Sequence, residues 1–227
     1  GMSGFPQSRK SFCAMMTALS LLAVAGTAGD ASAQADRAPS APVEAVEFDD
    51  RLGDIVPGDI TLLDEEGQPV QLASFVDRPT LLTLVYYQCP GICTPLLTEV
   101  ADILGKSGLD PGQEPFQLLT VSFDTRDTPE VGAAKRQNYL AQVNRDLPPE
   151  TWRFFTGDEE NIRRLTEAVG FRYKKAGGEF IHPGGLIILS PGRKIVRYLY
   201  GTQFLPFDFE MGVREASEGR VMPTTAR

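Results

Sequence analysis

Residues 80 to 87, TLLTLVYY, form a run of eight with no charge, glycine or proline. A strand open to solvent on one side alternates apolar and polar residues. An unbroken apolar, β-branched run instead suits a strand covered on both faces. Such a strand needs a layer of structure above it and another below. The period then changes: Leu96, Leu97, Val100, Ile103 and Leu104 recur at helical spacing, with Gly105 as the expected stop. A buried strand that turns directly into an amphipathic helix opens a β–α unit.

The pattern repeats along the chain. FQLLTVSFD (116–124) reads as a second buried strand. Thr128-Pro129-Glu130 then opens a helix with a capping hydroxyl, a proline in first position and an early acid, and the helix is expected to run through Tyr139, Leu140 and Val143. WRFFTG is another short strand, and Asp158 caps a helix with the apolar face Ile162, Leu165 and Val169, ended by Gly170. FRYKK leads into a glycine-bearing loop. Leu186–Leu189 and Lys194–Gly201 form a hairpin, and PFDFEMGVREASEG suits a last helix. Upstream, DITLLDEEGQPVQL folds back on itself at Glu66-Gly67. The expected class is α/β: a thioredoxin-like mixed sheet flanked by helices, with an N-terminal hairpin extension.

The first residues have a different character. Arg9 and Lys10 precede an apolar stretch rich in Ala and Leu, followed by Ala31-Ser32-Ala33, a small-x-small pattern. Residues 1–33 are expected to be a secretory signal peptide. An uncleaved membrane anchor is the competing reading, since the stretch approaches the minimum span of roughly 17 residues. Residues 34–48, rich in Ala and Pro, read as a linker, 49–217 as the folded domain and 218–227 as a flexible tail. Export, to the periplasm or to the periplasmic side of the inner membrane, is the expected localisation. The chain carries 30 acidic against 22 basic residues, a net charge of -8, which argues against a nucleic-acid surface.

There are three cysteines, and Cys13 lies in the signal segment. That leaves Cys89 and Cys93 in YYQCPGICTPLL, together with the single histidine, His182. In an oxidising compartment two cysteines can form a structural disulfide, a redox couple or a pair of metal ligands. Cys89 is expected where the strand ends and Cys93 where the helix begins. Unpaired N–H groups and a partial positive charge at that point favour a thiolate. At helical i,i+4 spacing the Cβ atoms lie about 5–6 Å apart, against about 3.5–4.5 Å in a disulfide. A bridge would be strained and readily reduced. Two thiolates at that distance can share one metal, and His182, in a Gly/Pro-framed loop before the late hairpin, is placed to face them. Two sulfurs and one imidazole are too few for a closed zinc site and suit copper, Cu(I) in particular.

Cys89-Pro90-Gly91-Ile92-Cys93, VSFDTRDTPE (121–130) and His182 ahead of LIILSPGRKIVRYLYG occur in the order of the Sco/SenC copper proteins. With the lead-in TLLDEEGQPVQL, the chain resembles that family over residues 48–217. The resemblance implies an exported or anchored thioredoxin-like domain with Cu(I) or Cu(II) on Cys89, Cys93 and His182. It also implies a supporting role for Asp124. Its expected partner is the copper-bearing subunit of cytochrome c oxidase or another copper protein. Thr94 stands where the family has proline after the second cysteine, and Ile181 where an Asp often precedes the histidine.

The rival reading is an exported thiol–disulfide oxidoreductase with Cys89 and Cys93 as its redox pair. His182 separates the two, because a dithiol reductase has no need of it. A peroxiredoxin normally carries threonine three residues before its reactive cysteine, where this chain has Tyr86. No phosphate loop, HExxH or GxSxG occurs.

Overall fold

The computed structural model describes residues 46–223. The expected signal peptide, residues 34–45 of the expected linker and the last four residues of the expected tail lie outside them. In chain order the elements are β1 (Thr61–Leu63), β2 (Pro69–Gln71), α1 (Leu72–Phe75), β3 (Thr80–Val85), α2 (Cys93–Lys106), β4 (Gln117–Ser122) and α3 (Pro129–Leu140). They continue with β5 (Trp152–Phe155), α4 (Glu159–Ala168), β6 (Lys174–Ala176), β7 (Glu179–Ile181), β8 (Gly185–Leu189), β9 (Ile195–Tyr200) and α5 (Pro206–Ser217).

The main sheet has the order β5-β4-β3-β8-β9. β3, β4 and β5 run parallel, joined by α2 and α3, while β8 and β9 are antiparallel additions. Parallel strands need crossover helices, which is why the apolar runs alternate with helical periods. Every residue of β3, β4 and β8 is buried, as their unbroken apolar sequences require. α3 lays Tyr139 against Trp152 and Phe154 of β5. α5 sets Phe209 against Phe116, and a Cβ on its Gly212 would collide with Ile188 of β8. β1 and β2 pair as the expected N-terminal hairpin. The fold is the mixed, thioredoxin-like α/β sheet flanked by helices. Among the described residues, no helix is long and apolar enough to cross a membrane.

Several boundaries differ from the sequence reading. β3 ends at Val85, because the Tyr87 N–H goes to the carboxylate of Asp127 (2.6 Å) instead of a neighbouring strand. α2 runs through Gly105 to Lys106. α3 stops at Leu140, leaving Val143 in the following turn, and Thr128 makes no side-chain cap to the helix. The glycine-bearing loop after FRYKK is an ordered hairpin, β6–β7, turning at Gly177 with φ +67°. It pairs with itself and lies outside the main sheet.

Candidate metal centre

β3 delivers the chain to a turn at the end of the central sheet. Cys89 sits in that turn, partly exposed, and its N–H donates to the Tyr86 carbonyl (3.2 Å). Cys93 is the first residue of α2 and only 4% exposed. The i,i+4 argument made from sequence therefore fails in its premise, since Cys89 precedes the helix. Both cysteines are free thiols. His182 directly follows β7 and is 9% exposed. Its Nε2 lies 3.5 Å from Cys93 Sγ. The two sulfurs and an imidazole nitrogen all fall within 4.8 Å of one another.

The tautomer of His182 follows from its surroundings. Nδ1 lies 2.9 Å from the Pro183 carbonyl, which can only accept. Nδ1 therefore carries the proton and donates it, leaving the Nε2 lone pair facing the sulfurs. Aromatic rings wall the imidazole: Phe123, Tyr86 and Phe171 lie at centroid distances of 5.0, 5.8 and 5.9 Å. Burial in this box holds its pKa below the ordinary 6.5, which keeps the ring neutral and able to ligate.

The two thiols are unlike. Burial opposes ionisation of Cys89, but donation from the Cys93 thiol and from the Cys93 and Gly91 N–H groups outweighs it, and its pKa falls. Burial, and then donation to Cys89, push the Cys93 thiol up. The helix start thus favours an anion on the preceding residue, Cys89, with Cys93 acting as donor. Burial and then Glu179 keep the Tyr86 hydroxyl protonated.

Asp124 does not join the sulfur–nitrogen cluster. Its carboxylate grips Arg126 (2.7 Å to Nη2) and accepts from the Arg126 N–H (3.0 Å). Burial works against its charge, yet Arg126 holds its pKa below the usual carboxylate value. Arg126 in turn lies 5.8 Å over the ring of Phe180, which packs on Phe123 and Tyr86. Asp124 thus borders the site through its chain neighbour Phe123, which packs on the imidazole, and through Arg126 and Phe180. Sequence reasoning missed Asp127, whose Oδ2 accepts from both the Tyr87 N–H and the Ser122 hydroxyl at 2.6 Å. Its place in the VSFDTRDTPE block was the available signal.

These donors suit a soft metal at low coordination number. Ligand atoms on one ion stand at most about two bond lengths apart, roughly 4.6 Å for sulfur bonds of about 2.3 Å. Three ligand atoms spread evenly around an ion stand roughly 4.0 Å apart, so closing around it needs up to roughly 0.8 Å from separations of at most 4.8 Å.

Known proteins share this arrangement of sequence and fold. A Stutzerimonas stutzeri protein, provisionally named as copper-binding, is 26% identical over 138 residues, which cover 58% of this chain and 63% of that protein. The chain thus spans less than two thirds of that relative's length. A crystal structure from Aquifex aeolicus VF5, provisionally named as an electron transfer protein, is 31% identical with a TM-score of 0.66, covering 74% of this chain and 95% of that one. The crystal structure of Arabidopsis thaliana ScoI with copper bound is alike in fold, with a TM-score of 0.57 at 20% identity, covering 72% of this chain and 99% of that one. The family model described as SCO1/SenC matches residues 49–206, well over half the sequence, and the chain belongs to that family.

Proposed function

We propose that this protein is a copper metallochaperone that holds the ion on Cys89, Cys93 and His182 and passes it to a respiratory oxidase copper centre. The observation that carries the reading is the convergence of two sulfurs and an imidazole nitrogen of the single histidine within 4.8 Å. A disulfide or a dithiol reductase has no use for that nitrogen. Copper is cargo here, so the site must release as well as bind. The half-buried Cys89 is the ligand an acceptor's sulfur or imidazole can approach first, while Cys93 and His182 hold the ion from the protected side. The acceptor we infer is the copper-bearing subunit of cytochrome c oxidase or another copper protein. The reading places the domain outside the cytoplasm, either free in the periplasm or tethered through its N-terminus.

A second reading is favoured by the unequal thiols. A Cys89 thiolate beside a protonated Cys93 suits attack on a target disulfide, with Cys93 resolving the mixed disulfide. One experiment separates the two. His182→Ala should leave fold and disulfide exchange intact while lowering Cu(II) affinity by at least about a hundredfold, the upper range for losing a mere supporting contact. Its thiolate-to-copper charge-transfer band should collapse, whereas Cu(I), which two sulfurs can hold, should be weakened less. Parental Cu(II) binding with an unchanged spectrum would put the oxidoreductase reading ahead.

A further inference from the structure

The hydroxyl of Tyr86 donates to a Glu179 carboxylate oxygen at 2.6 Å, joining residues 93 positions apart. Each stands three residues before a proposed ligand: Tyr86 before Cys89, Glu179 before His182. We propose that this bond is a latch fixing the His182-bearing hairpin against the cysteine turn, which makes Tyr86 and Glu179 positioning residues of the metal centre. The inference rests on the copper reading above and adds two residues to it.

The need for a latch follows from topology. The backbone pairing of β7 is with β6, so the main sheet does not hold the hairpin. The Nδ1–Pro183 bond ties the His182 ring to its own next residue and leaves the hairpin as free as before. Phe180 packs edge-on against Tyr86 at 5.1 Å and Phe123 at 5.3 Å, which seats the hairpin with a broad geometric preference. A hydrogen bond fixes distance and angle. Tyr86 is 4% exposed, and a buried hydroxyl needs an acceptor, so its ring is an anchor for the hairpin. The same ring meets the His182 imidazole edge-on at 76°, which couples the latch directly to the ligand.

The test uses the full chain and the variants Tyr86→Phe, Glu179→Ala, Glu179→Gln and the double Tyr86→Phe/Glu179→Ala. Without metal, amide hydrogen exchange across 174–184 should quicken roughly tenfold in Tyr86→Phe and Glu179→Ala, the size of one lost hydrogen bond, with β3 and β4 unchanged. Glu179→Gln, which keeps an acceptor oxygen, should restore the parental rate. The double variant should be no worse than either single one, since all three lose the same bond. With copper, Tyr86→Phe should weaken Cu(II) roughly tenfold and shift the hyperfine splitting of its electron paramagnetic resonance spectrum, with a smaller change for Cu(I). Parental exchange in Tyr86→Phe, or additive effects in the double variant, overturns the latch. If the parent binds no copper, or His182→Ala binds it as tightly, the copper reading falls, and the metal-free exchange still decides the latch.

Discussion

The cysteine turn and the histidine hairpin meet at one point but are built differently. Cys89 and Cys93 bridge β3 and α2, between a strand with all six residues buried and a helix with seven buried positions. His182 follows a three-residue strand in a two-stranded ribbon whose members are exposed or half-buried. The sulfurs are thus held by the core, and the nitrogen is held by a few side-chain contacts. The contrast is one of anchorage: the cysteine turn is built into the main sheet and its helix, whereas the histidine comes from a ribbon outside that sheet.

Breaking the core-anchored half has the largest expected effect. Cys89→Ser or Cys93→Ser should each remove copper binding by well over a hundredfold, beyond what outer contacts contribute, and each should abolish disulfide formation. Titration with a competing Cu(I) chelator checks this. Retained tight binding in either variant would remove that cysteine from the proposed ligand set.

Leu82→Ala sharpens the comparison from the core side. Leu82 is fully buried in β3, opposite Leu119 and Ile187. Truncation should cost about 2–5 kcal/mol in urea unfolding, while the variant, where folded, keeps the parental copper spectrum. A changed spectrum would mean that the sulfurs depend on core packing more finely than their position implies.

Asp127→Ala tests how the turn is pinned. It strands the buried Tyr87 N–H and leaves the Ser122 hydroxyl only the longer bond to the Asp124 carbonyl. The expected loss is about 2 kcal/mol of stability, with faster amide exchange across 86–92. A slow turn in this variant would assign the pinning to α2 alone.

The smallest effects are those of pH on the metal-free protein. Cys89, with its lowered pKa, should react with iodoacetamide at pH 7 faster than a free cysteine, while Cys93 should stay unreactive. Folding raises the Cys93 pKa above the ordinary 9.0. That contribution to stability is complete below about pH 9.0 and declines as the pH rises beyond it. Cys93→Ser should remove this alkaline decline in a thermal-unfolding series.

Much of this molecule could be read from local pattern. β3, β4 and β8 announced themselves as unbroken apolar runs, and α2 and α4 as helical spacing behind a turn or a capping Asp158, because burial on both faces and amphipathic periodicity are written within ten residues. The β6–β7 hairpin was not legible. Lys174–Ala176 and Glu179–Ile181 are too short and too mixed to show a period, and they are ordered by Phe180 seated on distant rings. Asp124 could be singled out but not placed, since its grip on Arg126 is local while the route from Arg126 to the site runs through Phe180.

By itself, the sequence determined the candidate donor set: two cysteines flanking a strand-to-helix turn, and one histidine. Tertiary structure alone decided how those donors act. It brought Nε2 within 3.5 Å of Cys93 across 89 positions, oriented the ring through the Pro183 carbonyl, and lowered the pKa of Cys89 while raising that of Cys93. Donor identity is a property of single residues. Proton placement and separation depend on which N–H groups, carbonyls and rings lie nearby, and only the packed fold brings those neighbours together.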